Sequence, residues 1–297
     1  MKYNKVYIAG AGGMLGSYVY NMYKQANCEV LATDIDVNEE WLQYGDIRDY
    51  VAISKQIKAF DPDIILNLAA MTDLEECEIE YDNCFFTNTM GAIFLMELSK
   101  ELSIPYVFIS TAGVFGGEQD MFADYDTPNP LSIYAKSKVF SENTILEYNK
   151  AWIFRAGWMM GGGYKKDKKF VAKIFKQIES GAKELYVVDD KLGTPTYTGD
   201  FANSIYRHTT EDLPYGLYNM VSKDDASRYD VAVKMISLLK LNVMVHKVDS
   251  SFFKHEYFAP RPFSEKLVNF KLNVMKKNYM NSWQDSLTQY LKEFYEK

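Results

Sequence analysis

The chain has 297 residues, 47% of them hydrophobic and 25% charged, which is enough for one large α/β domain or for one such domain with an appended lobe. Its net charge of −7 argues against a nucleic-acid-binding surface, because phosphate binding needs a basic excess. No run of about 18 apolar residues occurs, so we expect neither a membrane span nor a secretory leader. Three cysteines and three histidines without metal-ligand spacing predict reduced thiols, no metal site and a cytoplasmic protein.

Short apolar runs alternate with helix-length segments through the first half of the chain. The predicted strands are Val6–Ala9, Val30–Thr33, Ile64–Leu68, Tyr106–Ser110 and Trp152–Phe154. The predicted helices are Met14–Asn27, Tyr50–Phe60, Asn83–Ser103 and Ile133–Tyr148. Strands that alternate with helices predict βαβ units, so we expect an α/β fold built on a Rossmann-type, doubly wound parallel sheet.

The pattern loosens beyond Gly157, where glycines and prolines separate shorter elements. We therefore expect a Rossmann domain over residues 1–157 and a smaller C-terminal α/β lobe over residues 158–297. The chain of this lobe is expected to make excursions back to the first domain.

The stretch VYIAGAGGMLGSYV places three glycines between the first strand and the first helix. Gly10 permits a tight turn, Gly13 lets the backbone approach a pyrophosphate, and Gly16 lets the helix pack close to the strand. Met14 and Leu15 lie inside this turn. A glycine triplet alone is weak evidence, but its position between a strand and a helix predicts a dinucleotide site.

An acidic residue, Asp34, ends the second strand, where a carboxylate can bind the ribose hydroxyls of adenosine. Asp46 and Ile47 follow the next turn and are candidates to contact the adenine. Asp34 would repel a ribose 2′-phosphate, and no arginine lies between positions 33 and 40 to compensate. The sequence therefore predicts NAD(H) as the preferred cofactor, with NADP(H) as a usable second one.

The spacing Tyr-x-x-x-Lys occurs three times, at Tyr20 and Lys24, Tyr134 and Lys138, and Tyr164 and Lys168. A tyrosine has a pKa of about 10, so a lysine one helical turn later can stabilise its phenolate. The spacing alone does not choose among the pairs. The middle pair is favoured because its helix begins just after Pro130 and follows a strand that ends in hydroxyls.

Those hydroxyls belong to Ser110 and Thr111, at the carboxyl edge of the predicted sheet. Ligands of doubly wound sheets bind at this edge. A hydroxyl there can donate a hydrogen bond to a substrate carbonyl, although a strand-end Ser-Thr can also serve as a turn or helix cap. With Tyr134 and Lys138 downstream, we favour the catalytic interpretation.

Together these residues resemble the extended short-chain dehydrogenase/reductase superfamily, which also shares the Asn67-Leu68-Ala69-Ala70 stretch. From end to end the chain is most similar to dTDP-4-dehydrorhamnose reductases. The stretches that carry this closer resemblance are NLAAMTDLEECE, VFGG, RAGWMMG, VVDDKLGTPT and RPFSEKL.

The resemblance implies roles for individual residues. The implied catalytic residues are Thr111, Tyr134 and Lys138. The implied cofactor-binding residues are Gly10, Gly13, Met14, Leu15, Gly16, Asp34, Asp46, Ile47, Ala69, Ala70, Asn88, Ser110, Tyr134 and Lys138. The implied substrate-binding residues are Thr111, Trp158, Thr196 and Arg261, although Trp158 could equally be a core residue and Arg261 a surface turn. The implied partner is a nucleotide-linked keto sugar, and a homodimer is compatible with the sequence.

The chain departs from the family at Ala112 and Gly113, where relatives usually have Asp-Tyr. A tyrosine at position 113 would face the sugar, so its loss predicts a roomier pocket that lacks one hydrogen bond. We accordingly expect dTDP-4-dehydrorhamnose to be a mediocre substrate, unless a nearby aromatic such as Phe115, Phe122 or Trp158 fills the space.

The resulting functional prediction is NAD(P)H-dependent reduction of a nucleotide-linked 4-keto-6-deoxyhexose, as in deoxysugar and cell-surface polysaccharide biosynthesis. Two alternatives remain open. One is a sugar-nucleotide 4-epimerase, since STAGVFGG resembles the corresponding epimerase stretch. The other is a non-catalytic NAD(P)-binding regulatory subunit. A 4,6-dehydratase is disfavoured because the Asp-Glu pair that such enzymes carry after the threonine is missing.

Overall fold

The computed structural model describes residues 2–295, so the last two residues of the predicted lobe lie outside the described part. The strands are β1 Lys5–Ala9, β2 Glu29–Asp34, β3 Leu42–Tyr44, β4 Ile64–Asn67, β5 Tyr106–Thr111, β6 Ala151–Ala156, β7 Trp158–Met160, β8 Glu184–Val188, β9 Leu192–Gly193, β10 Pro195–Tyr197, β11 Gly216–Asn219, β12 Ala226–Ser227, β13 Met244–Val248 and β14 Ser264–Glu265.

The helices are α1 Gly16–Gln25, α2 Tyr50–Phe60, α3 Leu74–Ile79, α4 Tyr81–Phe85, α5 Ala92–Glu101, α6 Ile133–Ile145, α7 Gly163–Lys166, α8 Phe170–Glu179, α9 Thr198–Thr210, α10 Arg228–Leu238, α11 Phe270–Val274 and α12 Trp283–Phe294. Three further turns complete them: a π-helical turn over Phe86–Gly91 and 3₁₀ turns over Ala112–Val114 and Ser250–Phe253. No helix within residues 2–295 has the length and apolarity to cross a membrane.

Seven parallel strands form the main sheet in the order β11-β6-β5-β4-β1-β2-β3. The order of the strands reverses between β1 and β4, and ligands of doubly wound sheets bind at such a switch point. This sheet confirms the predicted Rossmann-type fold, and each of the five predicted strands forms within about two residues of its expected bounds.

The predicted helix over residues 83–103 forms as one helical run from α4 through α5. A π-helical turn lies within it, between α4 and α5. Gly91 ends that turn, and a Cβ there would lie 2.7 Å from Ile47, so the backbone comes unusually close to its neighbour. Turns of this kind occur often at functional sites, and hydrophobic periodicity does not reveal them.

Two apolar layers cover the two faces of the main sheet. Val19 of α1 and Phe201 of α9 are buried on one face, and Leu95 of α5 is buried on the other. The chain beyond residue 157 therefore returns to the first domain, through α9 and through the edge strand β11. The remaining C-terminal elements enclose a separate core that includes Met235 and Trp283.

Candidate active site

The glycine turn lies at the carboxyl edge of the main sheet, between β1 and α1. Gly10 has a φ of +75°, and a Cβ there would lie 2.3 Å from the backbone nitrogen of Ala69. A Cβ at Gly16 would lie 1.9 Å from the carbonyl oxygen of Ala11. At Gly13 the nearest atom would be 3.7 Å away, so the space in front of this residue is open. Two of the glycines thus permit close packing, and the third leaves room for a ligand.

The N-terminus of α1 faces that open space. No side chain caps the helix, and its first turn contains no acidic residue. The N–H groups of Gly13, Met14 and Leu15 make no hydrogen bond to residues 2–295. Free N–H groups at the positive end of a helix dipole are suited to bind an anion, so this turn fits a dinucleotide pyrophosphate.

Asp34 is held beside the glycine turn, where its carboxylate accepts a hydrogen bond from the Gly12 N–H at 2.8 Å. Asp46 is engaged differently. Its carboxylate pairs with Arg48 at 2.7 Å, and the guanidinium holds the pKa of Asp46 below its ordinary value. Ile47 is buried. Asp34 therefore lies beside the glycine turn with backbone N–H groups as its partners, whereas Asp46 is paired with a guanidinium.

The candidate catalytic hydroxyls meet where β5 ends and α6 begins. The Oγ1 of Thr111 accepts a hydrogen bond from the Gly113 N–H at 3.1 Å. Tyr134 lies in the first turn of α6, a helix capped by the Ser132 side chain. Burial raises the pKa of the Tyr134 phenol well above its ordinary value, and a hydrogen bond with Thr111 lowers it. Thr111 therefore lies within hydrogen-bonding reach of the phenol.

Lys138 lies one helical turn after Tyr134 and is only 2% exposed. Its ammonium group sits 4.1 Å above the Phe108 ring and makes no hydrogen bond to residues 2–295. Burial lowers the pKa of Lys138 to about 7, while Glu142 acts to raise it. The Ser110 hydroxyl is also buried without a partner in the described structure. Buried polar groups normally have partners, so this pair of groups fits a ligand that carries hydroxyls.

Two predicted ligand-contacting residues use their side chains elsewhere. The Asn88 amide is buried, where it accepts from the Met71 N–H at 2.8 Å and donates to Ser137 of α6 at 3.1 Å. The Thr196 hydroxyl is also buried and donates to the Thr194 carbonyl at 3.1 Å. Asn88 therefore braces the helix that carries Tyr134, and Thr196 stabilises its own strand.

Trp158 lies on the lobe side of the cleft in an unexpectedly polar setting. Its indole N–H donates to Glu265 Oε2 at 2.6 Å. The Arg228 guanidinium stacks on its ring, 3.7 Å from the centroid. Sequence reasoning missed both partners. Glu265 belongs to the RPFSEKL stretch and could have been found there, whereas no sequence signal distinguishes Arg228.

Arg261 comes from the lobe and binds Glu75 of α3 through two hydrogen bonds, of 2.7 and 2.9 Å. This ion pair joins the lobe to the first domain. Lys169 makes a second link by donating to the Thr72 carbonyl at 3.0 Å. Two positive side chains of the lobe therefore contact the stretch of the first domain that follows β4.

The other two Tyr-x-x-x-Lys pairs lie away from this site. Tyr20 stacks on Trp41, with the ring centroids 4.1 Å apart. Tyr164 donates to Glu179 at 3.0 Å, and Lys168 lies beyond the end of α7. Both tyrosines therefore make ordinary contacts near the surface. The structure brings only the middle pair to the strand-end hydroxyls.

Comparison with known proteins shows the same relationship along the whole chain. The family model described as the RmlD substrate binding domain matches residues 4–296. The spore coat polysaccharide biosynthesis protein SpsK of Bacillus subtilis is 30% identical over 291 residues, which cover 97% of each chain.

Two solved structures share the fold over nearly their full length. A dTDP-4-dehydrorhamnose reductase from Clostridium acetobutylicum superposes with a TM-score of 0.88 at 31% identity, covering 97% of this chain and 99% of that one. Another, from Bacillus anthracis in complex with NADP, gives 0.89 at 27% identity, covering 99% and 100%. The family match over residues 4–296 agrees with the sheet, the glycine turn and the position of Tyr134, and it places this chain in the RmlD substrate-binding domain family.

Proposed function

We propose that this chain is an NAD(P)H-dependent reductase of a nucleotide-linked 4-keto-6-deoxyhexose. The observation that carries the proposal is the meeting of Thr111, Tyr134 and Lys138 beside an open glycine turn, in a chain of this family. The free cysteines suit a cytoplasmic enzyme. The similarity to a spore coat polysaccharide biosynthesis protein supports a role in supplying sugars for cell-surface polysaccharides.

The cofactor would be held by backbone N–H groups and side chains at the carboxyl edge of the sheet. The N–H groups at the start of α1 would bind its pyrophosphate, and Asp34 would accept hydrogen bonds from a ribose. Lys138 and Ser110 would bind the hydroxyls of the second ribose, which is supported by the absence of a hydrogen-bond partner for either group within residues 2–295. When bound, the reduced nicotinamide supplies the hydride that the ketone accepts.

The chain's own contribution is to orient the ketone and supply a proton. The Thr111 hydroxyl would donate a hydrogen bond to the C4 carbonyl, and Tyr134 would give its proton to the developing alkoxide. The raised pKa of Tyr134 keeps the phenol protonated near neutral pH, which is the form that a proton donor needs. Lys138, when charged, would stabilise the phenolate left behind.

Arg228 suits the nucleotide part of the substrate. It makes no hydrogen bond to residues 2–295, and its guanidinium lies over the Trp158 ring, 3.7 Å from the centroid. Burial lowers its pKa only to about 10, so Arg228 stays charged at neutral pH. A stacked guanidinium with free donors matches the geometry of a phosphate, so Arg228 would bind the diphosphate of the sugar nucleotide.

The test is to incubate the protein with NADH or NADPH and a set of 4-keto sugar nucleotides, and to identify the products. Net oxidation of the cofactor together with a 4-hydroxy product supports the reductase. Isomer interconversion without net oxidation would identify an epimerase. Tight cofactor binding without any turnover would favour the regulatory alternative. Tyr134→Phe is the matched control, because it removes the proton donor and keeps the ring.

A further inference from the structure

The space that a tyrosine at position 113 would enter is not empty. A Cβ built on Gly113 would lie 3.2 Å from Oε1 of Glu265 and 3.5 Å from the Thr111 hydroxyl. Glu265 comes from β14, which pairs with β9 in the lobe. Phe115 and Phe122, by contrast, are fully buried against each other. A carboxylate, and not an aromatic ring, therefore occupies the gap beside the reacting groups.

This carboxylate is fixed in orientation by its surroundings. Its Oε2 accepts the indole N–H of Trp158 at 2.6 Å. The indole is held in turn by Arg228 on its ring face and by the close approach of Gly193, where a Cβ would lie 2.3 Å from the ring. The other oxygen, Oε1, has no hydrogen-bond partner within residues 2–295. Glu265 thus presents one free acceptor, with a fixed direction, beside Gly113 and Thr111.

The charge of Glu265 reaches the reacting groups, since the carboxylate contributes to the raised pKa of Tyr134. An ionised carboxylate accepts hydrogen bonds and cannot donate them. Beside a developing alkoxide it would oppose reduction unless a donor on the substrate satisfied it. A substrate without such a donor would leave Oε1 desolvated and unpaired, which is costly.

We propose that Glu265 determines substrate specificity by accepting a hydrogen bond from a donor on the sugar carbon next to the ketone. This inference rests on the proposed reductase function. In a 4-keto-6-deoxyhexose the two neighbours of C4 are C5, which carries the methyl group, and C3, which carries the polar substituent. The donor is therefore the group on C3, either a hydroxyl or an amine.

The experiment compares kcat/KM for three sugar nucleotides that differ only at C3, where they carry a hydroxyl, an amine or hydrogen. Each is assayed with the unmodified protein, with Glu265→Gln and with Glu147→Gln. Glutamine at 265 can still accept from the Trp158 indole, but its amide then turns a donor towards the sugar. Glu147 lies exposed after α6 and is the matched charge-removal control.

With the unmodified protein, we expect kcat/KM to be about 10- to 100-fold higher for a substrate with a C3 donor than for the C3-deoxy analogue. Glu265→Gln should abolish this preference in two ways. It should lower kcat/KM for the substrates that have the donor, and it should raise kcat/KM for the deoxy analogue, which no longer leaves a carboxylate unpaired. Glu147→Gln should keep the preference. A larger preference for the amine than for the hydroxyl would identify a cationic donor, and the reverse order a neutral one.

Turnover of all three substrates at similar kcat/KM would overturn the role of Glu265 while leaving the reductase function standing. Retention of the preference in Glu265→Gln would also overturn the role of Glu265, provided that this variant has the NADH affinity and the Tm of the unmodified protein. If the variant does not fold, the three-substrate comparison in the unmodified protein decides the question. Turnover of none of the substrates would remove the reductase function and this inference together.

Discussion

Replacing Gly13 and Gly16 with alanine, one at a time, separates the ligand-binding role of the glycine turn from its folding role. At Gly16 the added methyl would lie 1.9 Å from the carbonyl oxygen of Ala11 and 2.4 Å from its carbonyl carbon. Both are backbone atoms, so α1 would have to shift by about 1 Å to reach even a 3.0 Å separation. Overpacking of this kind costs about 1–3 kcal/mol of unfolding free energy.

Gly13→Ala should behave in the opposite way. Its methyl would meet only the Gly10 carbonyl, at 3.7 Å, which is an ordinary contact. Removing a glycine also restricts the unfolded chain, so stability should be unchanged or higher by about 0.4–1 kcal/mol. The methyl would nevertheless stand between the backbone and a pyrophosphate. Loss of hydrogen bonds to a charged group should weaken NADH binding by about 10- to 100-fold.

Two measurements check this pair of variants. Thermal unfolding without cofactor should show a Tm lower by roughly 2–8 °C for Gly16→Ala and no fall for Gly13→Ala. Calorimetric titration with NADH should show the affinity loss in Gly13→Ala. The reasoning is refuted if Gly13→Ala binds NADH as tightly as the unmodified protein, or if it destabilises the fold as much as Gly16→Ala does.

Three further predictions follow from the same site. Tyr134→Phe should lower kcat by orders of magnitude and still bind NADH in a titration, whereas Tyr20→Phe should leave kcat nearly unchanged. Substantial activity in Tyr134→Phe would show that Tyr134 is not the proton donor. Steady-state assays should give a higher kcat/KM with NADH than with NADPH, and Asp34→Ala should reduce the difference between the two values. An equal or higher kcat/KM with NADPH in the unmodified protein would contradict the role of Asp34. Glu142→Ala should lower the free energy of unfolding by about 3–5 kcal/mol, measured by urea unfolding. The reason is that the buried Arg155 guanidinium loses its two hydrogen bonds, of 2.8 and 2.6 Å. A decrease below about 1 kcal/mol would show that water replaces the Glu142 carboxylate.

The sequence alone was sufficient to predict features that depend on short stretches of chain. Strand and helix periodicities are local, so the five strands and the parallel sheet could be read from them. The glycine turn could be predicted because the conformations and close approaches that it needs exclude a side chain at particular positions. The Tyr134 and Lys138 spacing is likewise contained within one helix.

Local patterns did not reveal how single side chains are used within the site. Asn88 was expected to contact the cofactor. Its amide accepts a hydrogen bond from Met71 and donates one to Ser137, 49 positions further along the chain. Arg261 was expected to face the sugar, and its guanidinium pairs with Glu75 across 186 positions, a contact that no local pattern indicated. Hydrogen-bonding capacity is limited, and only the folded chain determines which partner uses it.

The consequence of having glycine at position 113 was also decided by tertiary structure. The sequence showed that a side chain was missing there, and from that alone a roomier pocket was expected. The fold places Glu265 in that space and orients it through Trp158, which lies 107 positions away in the chain. Residues so far apart meet only because the lobe closes over the carboxyl edge of the sheet. The reaction type could therefore be predicted from short motifs, whereas the presence of a carboxylate beside Gly113 depended on how the two parts of the chain pack together.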